Sequence, residues 1–330
     1  MKRFKNILFV HELAVEDTAA FERAVVLAEE NTARLRVIEV LEEVSPDIGV
    51  PVPVLLTQAL RNTLIEESRE QMEELVAPLR ERIDIGIEVL TGTSFLEIIR
   101  EVLLNRHDLV IKAADKGGLI TRIFGSTDMH LLRKCPCPVW LHKHGPNKPY
   151  HRILAAVDFD EFSGTEREST LNRDIMYLAA SLAQREHSEL YIGHAWSPKS
   201  AELLQTQPSG LTKEEINDYI NETQACNERR LNELMGLAEA WAGEDIWREV
   251  KPQTRLVKGL ARRAIPDLAE ELQAELIVMG TLGQAGIAGI LIGNTAETIL
   301  NRIDCSVLAI KPEGFVTPVT LKESVAYDNA

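Results

Sequence analysis

Two halves of this chain carry the same landmarks in the same order. Gly92 matches Gly259 at an offset of 167, and Gly125, Cys137, Val139 and Lys143 match Gly293, Cys305, Val307 and Lys311 at 168. A period this long means a duplicated domain and not a solenoid, whose repeats run to roughly 20–50 residues. The chain has 330 residues, so each copy is of ordinary domain size and long enough to bury its own core. The boundary falls at His144-Gly-Pro-Asn-Lys-Pro149, a linker of turn-forming residues. The expected division is residues 1–145, 150–312 and a non-periodic C-terminal tail, 313–330.

Within each copy, short apolar runs alternate with amphipathic stretches. Ile7-Leu-Phe-Val10, Leu35–Leu41, Ile87-Glu-Val-Leu90, Leu109-Val-Ile111 and Pro138-Val-Trp-Leu141 read as strands. Between them lie helical patterns at 18–30, 58–82, 94–105 and 126–134, with Ser94 and Glu97 at capping-box spacing. The second copy restarts at Ile153-Leu-Ala-Ala-Val157 and follows the same course to Val307-Leu-Ala-Ile310. Near-continuous apolar strands separated by helices imply a parallel sheet covered on both faces, the doubly wound α/β class.

The net charge is −15, from 36 basic and 51 acidic residues. Nucleic acids bind largely through Lys/Arg clusters, and no long basic block is present, so no nucleic-acid partner is expected. No window holds the ~18 apolar residues of a membrane helix, and the first residues lack a leader pattern. Four cysteines, Cys135, Cys137, Cys226 and Cys305, are few for a chain of this size and suit a reducing compartment. A cytoplasmic protein without membrane contact is expected. Cys135-Pro-Cys137 lacks partners at zinc-site spacing, and no metal site is expected.

The segment richest in chemistry is Gly280-Thr-Leu-Gly283, nine residues, then Gly293-Asn294-Thr295. It follows an apolar strand and opens a helix. Glycines let backbone amides approach an anion, and a helix start presents unpaired N–H groups. Glycines before a helix also serve as plain turn residues, so spacing alone leaves both readings open.

This pattern, Gly-x2-Gly-x9-Gly, resembles the ATP loop of the universal stress protein family, and with Leu291-Ile-Gly-Asn-Thr-Ala-Glu297, Asp304-Cys305, Ile310-Lys-Pro312, Asp128-Met-His-Leu-Leu-Arg-Lys-Cys-Pro136 and Ile265-Pro-Asp-Leu-Ala-Glu270 the chain is similar to the tandem-domain type over both halves. The resemblance implies two five-stranded parallel sheets of order 3-2-1-4-5, of the adenine nucleotide alpha hydrolase-like kind, packed as an internal pseudo-dimer through their fifth strands. It implies an adenine nucleotide, ATP with Mg2+, held in the second half: adenosine against Asp158, Ala195 and Val257, phosphates on Gly280, Gly283 and Gly293. The family's Ser/Thr after the last glycine is Asn294 here, followed by Thr295. Asn294 is also a good helix N-cap, and both roles stand.

In the first half, counting back from Gly125 without a gap, Lys112 replaces the first glycine and Asp115 the second. Glu12 takes the place of Asp158. A carboxylate at the phosphate position repels the ligand, so no nucleotide is expected there. No nucleophile elbow or metal-spaced His pair accompanies His11-Glu12, His107-Asp108 or His142-x-His144, and Arg262-Arg263 and Trp140 read as helix-surface and core or interface residues. The expectation is a ligand-binding stress-response protein with no catalytic residues, unidentified protein partners and the capacity for a further homodimer. Two alternatives stand beside it: a scaffold or apolar-ligand binder, suggested by the apolar run Ile287-Ala-Gly-Ile-Leu-Ile292, and a slow ATP hydrolase using Asp158 and Thr295.

Overall fold

The computed structural model describes residues 4–12, 17–42, 54–115, 124–145, 148–159, 166–198, 212–281 and 293–321, with side chains of 54–57 and 166–169 left aside. The chain divides into two compact units. Of the described residues, the first holds those from 4 to 145 together with 315–321, and the second holds those from 148 to 281 and 293–314.

In the first unit the strands are β1 (Asn6–His11), β2 (Arg34–Leu41), β3 (Ile85–Thr91), β4 (Leu109–Ala113) and β5 (Val139–His142). The helices are α1 (Thr18–Asn31), α2 (Val54–Val76), α3 (Ser94–Asn105) and α4 (Ser126–Lys134). The order is β3-β2-β1-β4-β5, with the strand pairs parallel. Ile7, Leu8, Phe9 and Val10 are buried, as the apolar run requires of a central strand covered on both faces. Helix α1 covers it with Phe21, whose ring lies 5.2 Å from that of Phe9.

The second unit supplies β6 (Arg152–Ala156), β7 (Glu189–Trp196), β8 (Gln253–Lys258), β9 (Leu276–Gly280) and β10 (Ser306–Ile310). Its helices are α5 (Glu166–Glu186), α6 (Lys213–Ala242), α7 (Glu244–Val250), α8 (Ala261–Glu271) and α9 (Asn294–Leu300). The order is β10-β9-β6-β7-β8, again parallel, the same 3-2-1-4-5 succession. The ten strands count as one sheet and not as two separate sheets of five, which corrects that part of the expectation.

The duplication extends to backbone detail. Gly92 and Gly259 precede α3 and α8 with φ of +142° and +146°, a region L side chains avoid, which is why the glycine recurs. Helix α8 contains Pro266, whose missing N–H leaves the Arg262 carbonyl without its helical donor. Arg302 donates to that carbonyl at 3.4 Å and pairs with Asp267 at 2.9 Å.

The described part of the tail, residues 315–321, is tied to the first unit. Val319 is buried, and the Arg100 guanidinium donates to the Thr320 carbonyl at 3.2 Å. Among the described residues no helix is long and apolar enough to cross a membrane.

Candidate functional site

In the second unit the chain runs outward from β6 through β7 to β8, then returns to place β9 on the other side of β6. The carboxyl ends of β6 and β9 therefore flank a topological switch point, where open parallel sheets hold ligands. Asp158 follows β6, and Gly280 is the last residue of β9. Ala195 on β7 and Val257 on β8 are paired in register at the same edge. Four residues named from the sequence thus meet along one edge although they lie far apart in the chain.

The Asp158 end is braced from α5. Asn172, buried, donates through its amide to the Asp158 carbonyl at 2.8 Å, and its Oδ1 accepts from the Asp158 amide at 3.4 Å. Beside it Phe159 stacks on His194, with centroids 3.9 Å apart and planes 25° apart. His194 is buried, with Nδ1 3.2 Å from the Val157 carbonyl and Nε2 3.1 Å from Oδ1 of Asn227 on α6. The sequence reading missed Asn172, Phe159, His194 and Asn227. Buried polar residues on otherwise apolar helix and strand faces are the signal that points to them, since such groups need partners.

At the other end Gly280 lies close under the tip of the Leu171 side chain. A Cβ there would come 2.8 Å from Cδ2 of Leu171 on α5. Thr281, fully buried, ties the site together. Its amide donates to the Ile310 carbonyl at 3.2 Å, its carbonyl accepts from the Gly293 amide at 3.0 Å, and its hydroxyl accepts from the Lys311 ammonium at 2.7 Å. The amides of Thr281 and Gly293 are thus engaged with protein carbonyls and do not turn toward a ligand. Gly283 and the apolar run 287–292 lie outside the described residues.

Two expectations change here. The N-cap of α9 is Gly293, with extended φ −60° and ψ 139°, so Asn294 is the first helical residue and not the cap. It is exposed, as is Thr295. The second change concerns the first half. In β1–β4 Val10 pairs with Lys112, and in β6–β9 Ala156 pairs with Met279. Since Val10 and Ala156 are matched positions in the gapless pairing of β1 with β6, Lys112 corresponds to Met279 and Ala113 to Gly280. The loop of the first unit is one residue shorter, and the backward count from Gly125 had hidden this.

Lys112 is the centre of the corresponding edge in the first unit. Fully buried, its ammonium lies 3.1 Å from Glu12, 3.1 Å from Asp128 and against Asp115, and donates to the Ala113 carbonyl at 2.9 Å. Asp128 in turn accepts from the amides of Asp115 at 2.7 Å and Gly125 at 3.3 Å. Burial pushes the Asp128 carboxyl upward, Lys112 pulls it down and Asp115 adds a further upward push. The Lys112 pKa is raised: desolvation, the largest effect, opposes the charged form, but Asp128, Glu12 and Asp115 together outweigh it. Next to this cluster His11 Nδ1 is 2.6 Å from Asp17.

The remaining candidates are structural. His107 precedes β4, at the edge away from the switch point. It is buried and held between the Asn6 carbonyl and Glu101, each at 3.3 Å. Asp108 accepts from the backbone amides of Lys5 and Asn6. Cys135 and Cys137 are buried with sulfurs 3.6 Å apart. Arg23 lies 5.8 Å over the Trp140 ring in the core. Among the described residues no group of three or more His, Cys, Asp or Glu forms a metal site.

A duplicated parallel α/β chain, with Asp158 and Gly280 at the strand ends that flank the β6–β9 switch point, defines the class of fold. The sequence matches the universal stress protein family over residues 3–143 and again over 149–311, and the chain belongs to that family. It is 30% identical over 331 residues to universal stress protein E of Escherichia coli, covering 98% of this chain and 99% of that one. A universal stress protein E homolog of Haemophilus influenzae is 28% identical over 324 residues, covering 94% and 98%. Among solved structures, a Pseudomonas aeruginosa protein described as functionally unknown superposes with a TM-score of 0.63 at 25% identity, covering 94% of each chain. A universal stress protein from Archaeoglobus fulgidus shares the fold at 18% identity, with a TM-score of 0.55 over 93% of this chain and 98% of that one.

Proposed function

We propose that this stress-response protein binds an adenine nucleotide, ATP with its Mg2+, in the second unit, and acts through that binding as a regulatory or protective component of the cytoplasm, not as an enzyme. The observation that carries the reading is the meeting of Asp158 and Gly280 on either side of the β6–β9 switch point, with Ala195 and Val257 beside them. Asp158 would hold the adenosine end and the loop from Gly280 through Gly283 to Gly293 the phosphates, with Mg2+ carried on the phosphates as that ion usually is.

The first unit takes no nucleotide in this reading. Lys112, Asp115 and Asp128 fill the matching edge with their own ion pairs, and the carboxylates oppose a second anion.

Equilibrium binding of labelled ATP to wild type, Asp158→Ala and Gly283→Asp tests the site. Each substitution is expected to weaken binding about tenfold or more, the scale of one lost charged hydrogen bond or one added repulsion. ATP affinity unchanged in both variants removes the site.

A further inference from the structure

The two copies differ in charge at the carboxyl ends of their central strands. In the first unit the Lys112 ammonium is surrounded by four oxygens: the Ala113 carbonyl at 2.9 Å, Glu12 and Asp128 at 3.1 Å each, and Asp115. An ammonium has three protons to give. One oxygen is therefore left without a donor, and Asp128 Oδ1 is that oxygen: it is buried and accepts no hydrogen bond. The other Asp128 oxygen already holds the amides of Asp115 and Gly125. Further titratable groups lie about the cluster. β1 brings His11, paired with Asp17 at the start of α1, and β2 places Glu39 opposite His11. The second unit lacks this set. Val157 stands at the place of His11, Met279 at that of Lys112 and Ala296 at that of Asp128, the last because Gly125 and Gly293 both cap the following helix. Counted back from Thr32 and His187, the left-handed residues that follow α1 and α5, Asp17 matches Asn172. Both brace the same turn: Asp17 accepts from the Glu12 amide at 3.3 Å, and Asn172 from the Asp158 amide at 3.4 Å. The fold needs an acceptor there and not a charge.

We propose that the carboxylates about Lys112 are a proton-binding site: as the medium turns mildly acid the cluster takes up one proton, and the first unit thereby registers acidification. This does not rest on the nucleotide reading of the second unit. Three negative charges face one positive charge, and a proton relieves their mutual repulsion. It belongs to the coupled set and comes to Asp128 Oδ1, the oxygen without a donor. The surrounding groups lean the same way. Burial, the largest effect, together with Asp115 pushes Asp128 up to about 6 against the pull of Lys112. Burial raises Glu12 as well, with Lys112 opposing and Asp115 and Asp17 adding to the rise. Burial, the largest effect on His11, lowers it, but Asp17, Glu39 and Glu12 together outweigh burial and hold it above its usual value. A carboxyl raised from 3.8 to about 6 by folding stabilises the fold fully below the lower value, and the gain is lost as pH rises through the upper one. The cluster therefore tightens the first unit in mild acid. His142 on β5, whose pKa is lowered, acts with the opposite sign, so the part played by the cluster is read from its own variants.

Carbon NMR of the full chain, labelled at the aspartate carboxyl carbon and titrated from mild acid to neutrality, tests the proposal in wild type, Asp128→Asn and Glu12→Gln. Wild type is expected to show one aspartate carboxyl titrating near 6, and Asp128→Asn to lack it. Glu12→Gln, which removes a competing negative charge, is expected to move that titration down. Urea unfolding reads the consequence for the fold. Between about pH 4.5 and 7 the folding constant of wild type should fall about tenfold or more relative to that of Asp128→Asn, the linkage of one proton. A wild type with no aspartate carboxyl titrating above about 5, well clear of the ordinary range, overturns the proposal. So does a signal near 6 that survives in Asp128→Asn, or an equal pH dependence of stability in the two proteins. Should Asp128→Asn not fold, Glu12→Gln decides: a downward shift of the titration upholds the proposal, and an unchanged position overturns it.

Discussion

His142, the last residue of β5, has 5% of its surface exposed. Burial is the main cause that pulls its pKa down to about 4; the nearby charges of Arg23 and His144 add to it, and a hydrogen bond with the Lys143 backbone opposes it. In the unfolded chain a histidine titrates near 6.5. Between the two values the unfolded state binds more protons than the folded one, so stability rises with pH across that window. The contribution is complete above about 6.5 and is lost as pH falls through about 4, a difference on the order of 3 kcal/mol. His142→Gln cannot take up the proton and is expected to flatten that part of the profile. Urea midpoints of wild type and variant at pH 4.5 and 7 measure it, and identical pH slopes would show that His142 contributes nothing. The sequence showed His142 only as half of a His-x-His pair. Its behaviour comes from where β5 lies, which composition and spacing do not reveal.

At the level of elements, the alternation of apolar runs and amphipathic stretches marked every strand and nearly every helix, because burial on both faces imposes a pattern that neighbouring residues share. Helix entries were harder. Ser94 and Asn294 have cap chemistry, yet Thr93 and Gly293 are the caps, since the residue with extended φ/ψ holds that place and side-chain chemistry only favours it. Register was hidden as well: the one-residue difference between the two loops shows only once β4 and β9 are seen against β1 and β6. Asp115 lies directly against Gly125, where a Cβ would overlap the carboxylate. Gly125→Ala is therefore expected to push Asp115 away from Lys112 and to destabilise the first unit by about 1–3 kcal/mol, the usual cost of overpacking. Chemical denaturation reads the change. A loss under ~0.5 kcal/mol, the level of an indifferent surface substitution, would mean that the Asp115 contact yields freely.

For the molecule as a whole, duplication was plain from offsets of 167 and 168, but duplication does not say whether both copies kept the same task. The decisive difference lies in a few side chains. The first unit answers Lys112 with three carboxylates of its own, whereas the second carries Met279 and Ala296 at matching places. Breaking the first set to admit a ligand would leave a buried charge without its partners, at a cost of about 3–5 kcal/mol. A single ATP per full chain is thus expected by isothermal titration, not two. Saturation at that one site should also raise the unfolding free energy by about 2.7 kcal/mol at a hundredfold excess over Kd, and Asp158→Ala should abolish the rise. A stoichiometry of two, or a second ATP surviving in Asp158→Ala, would mean that the Lys112 cluster opens to ligand and that the two copies have not diverged in function.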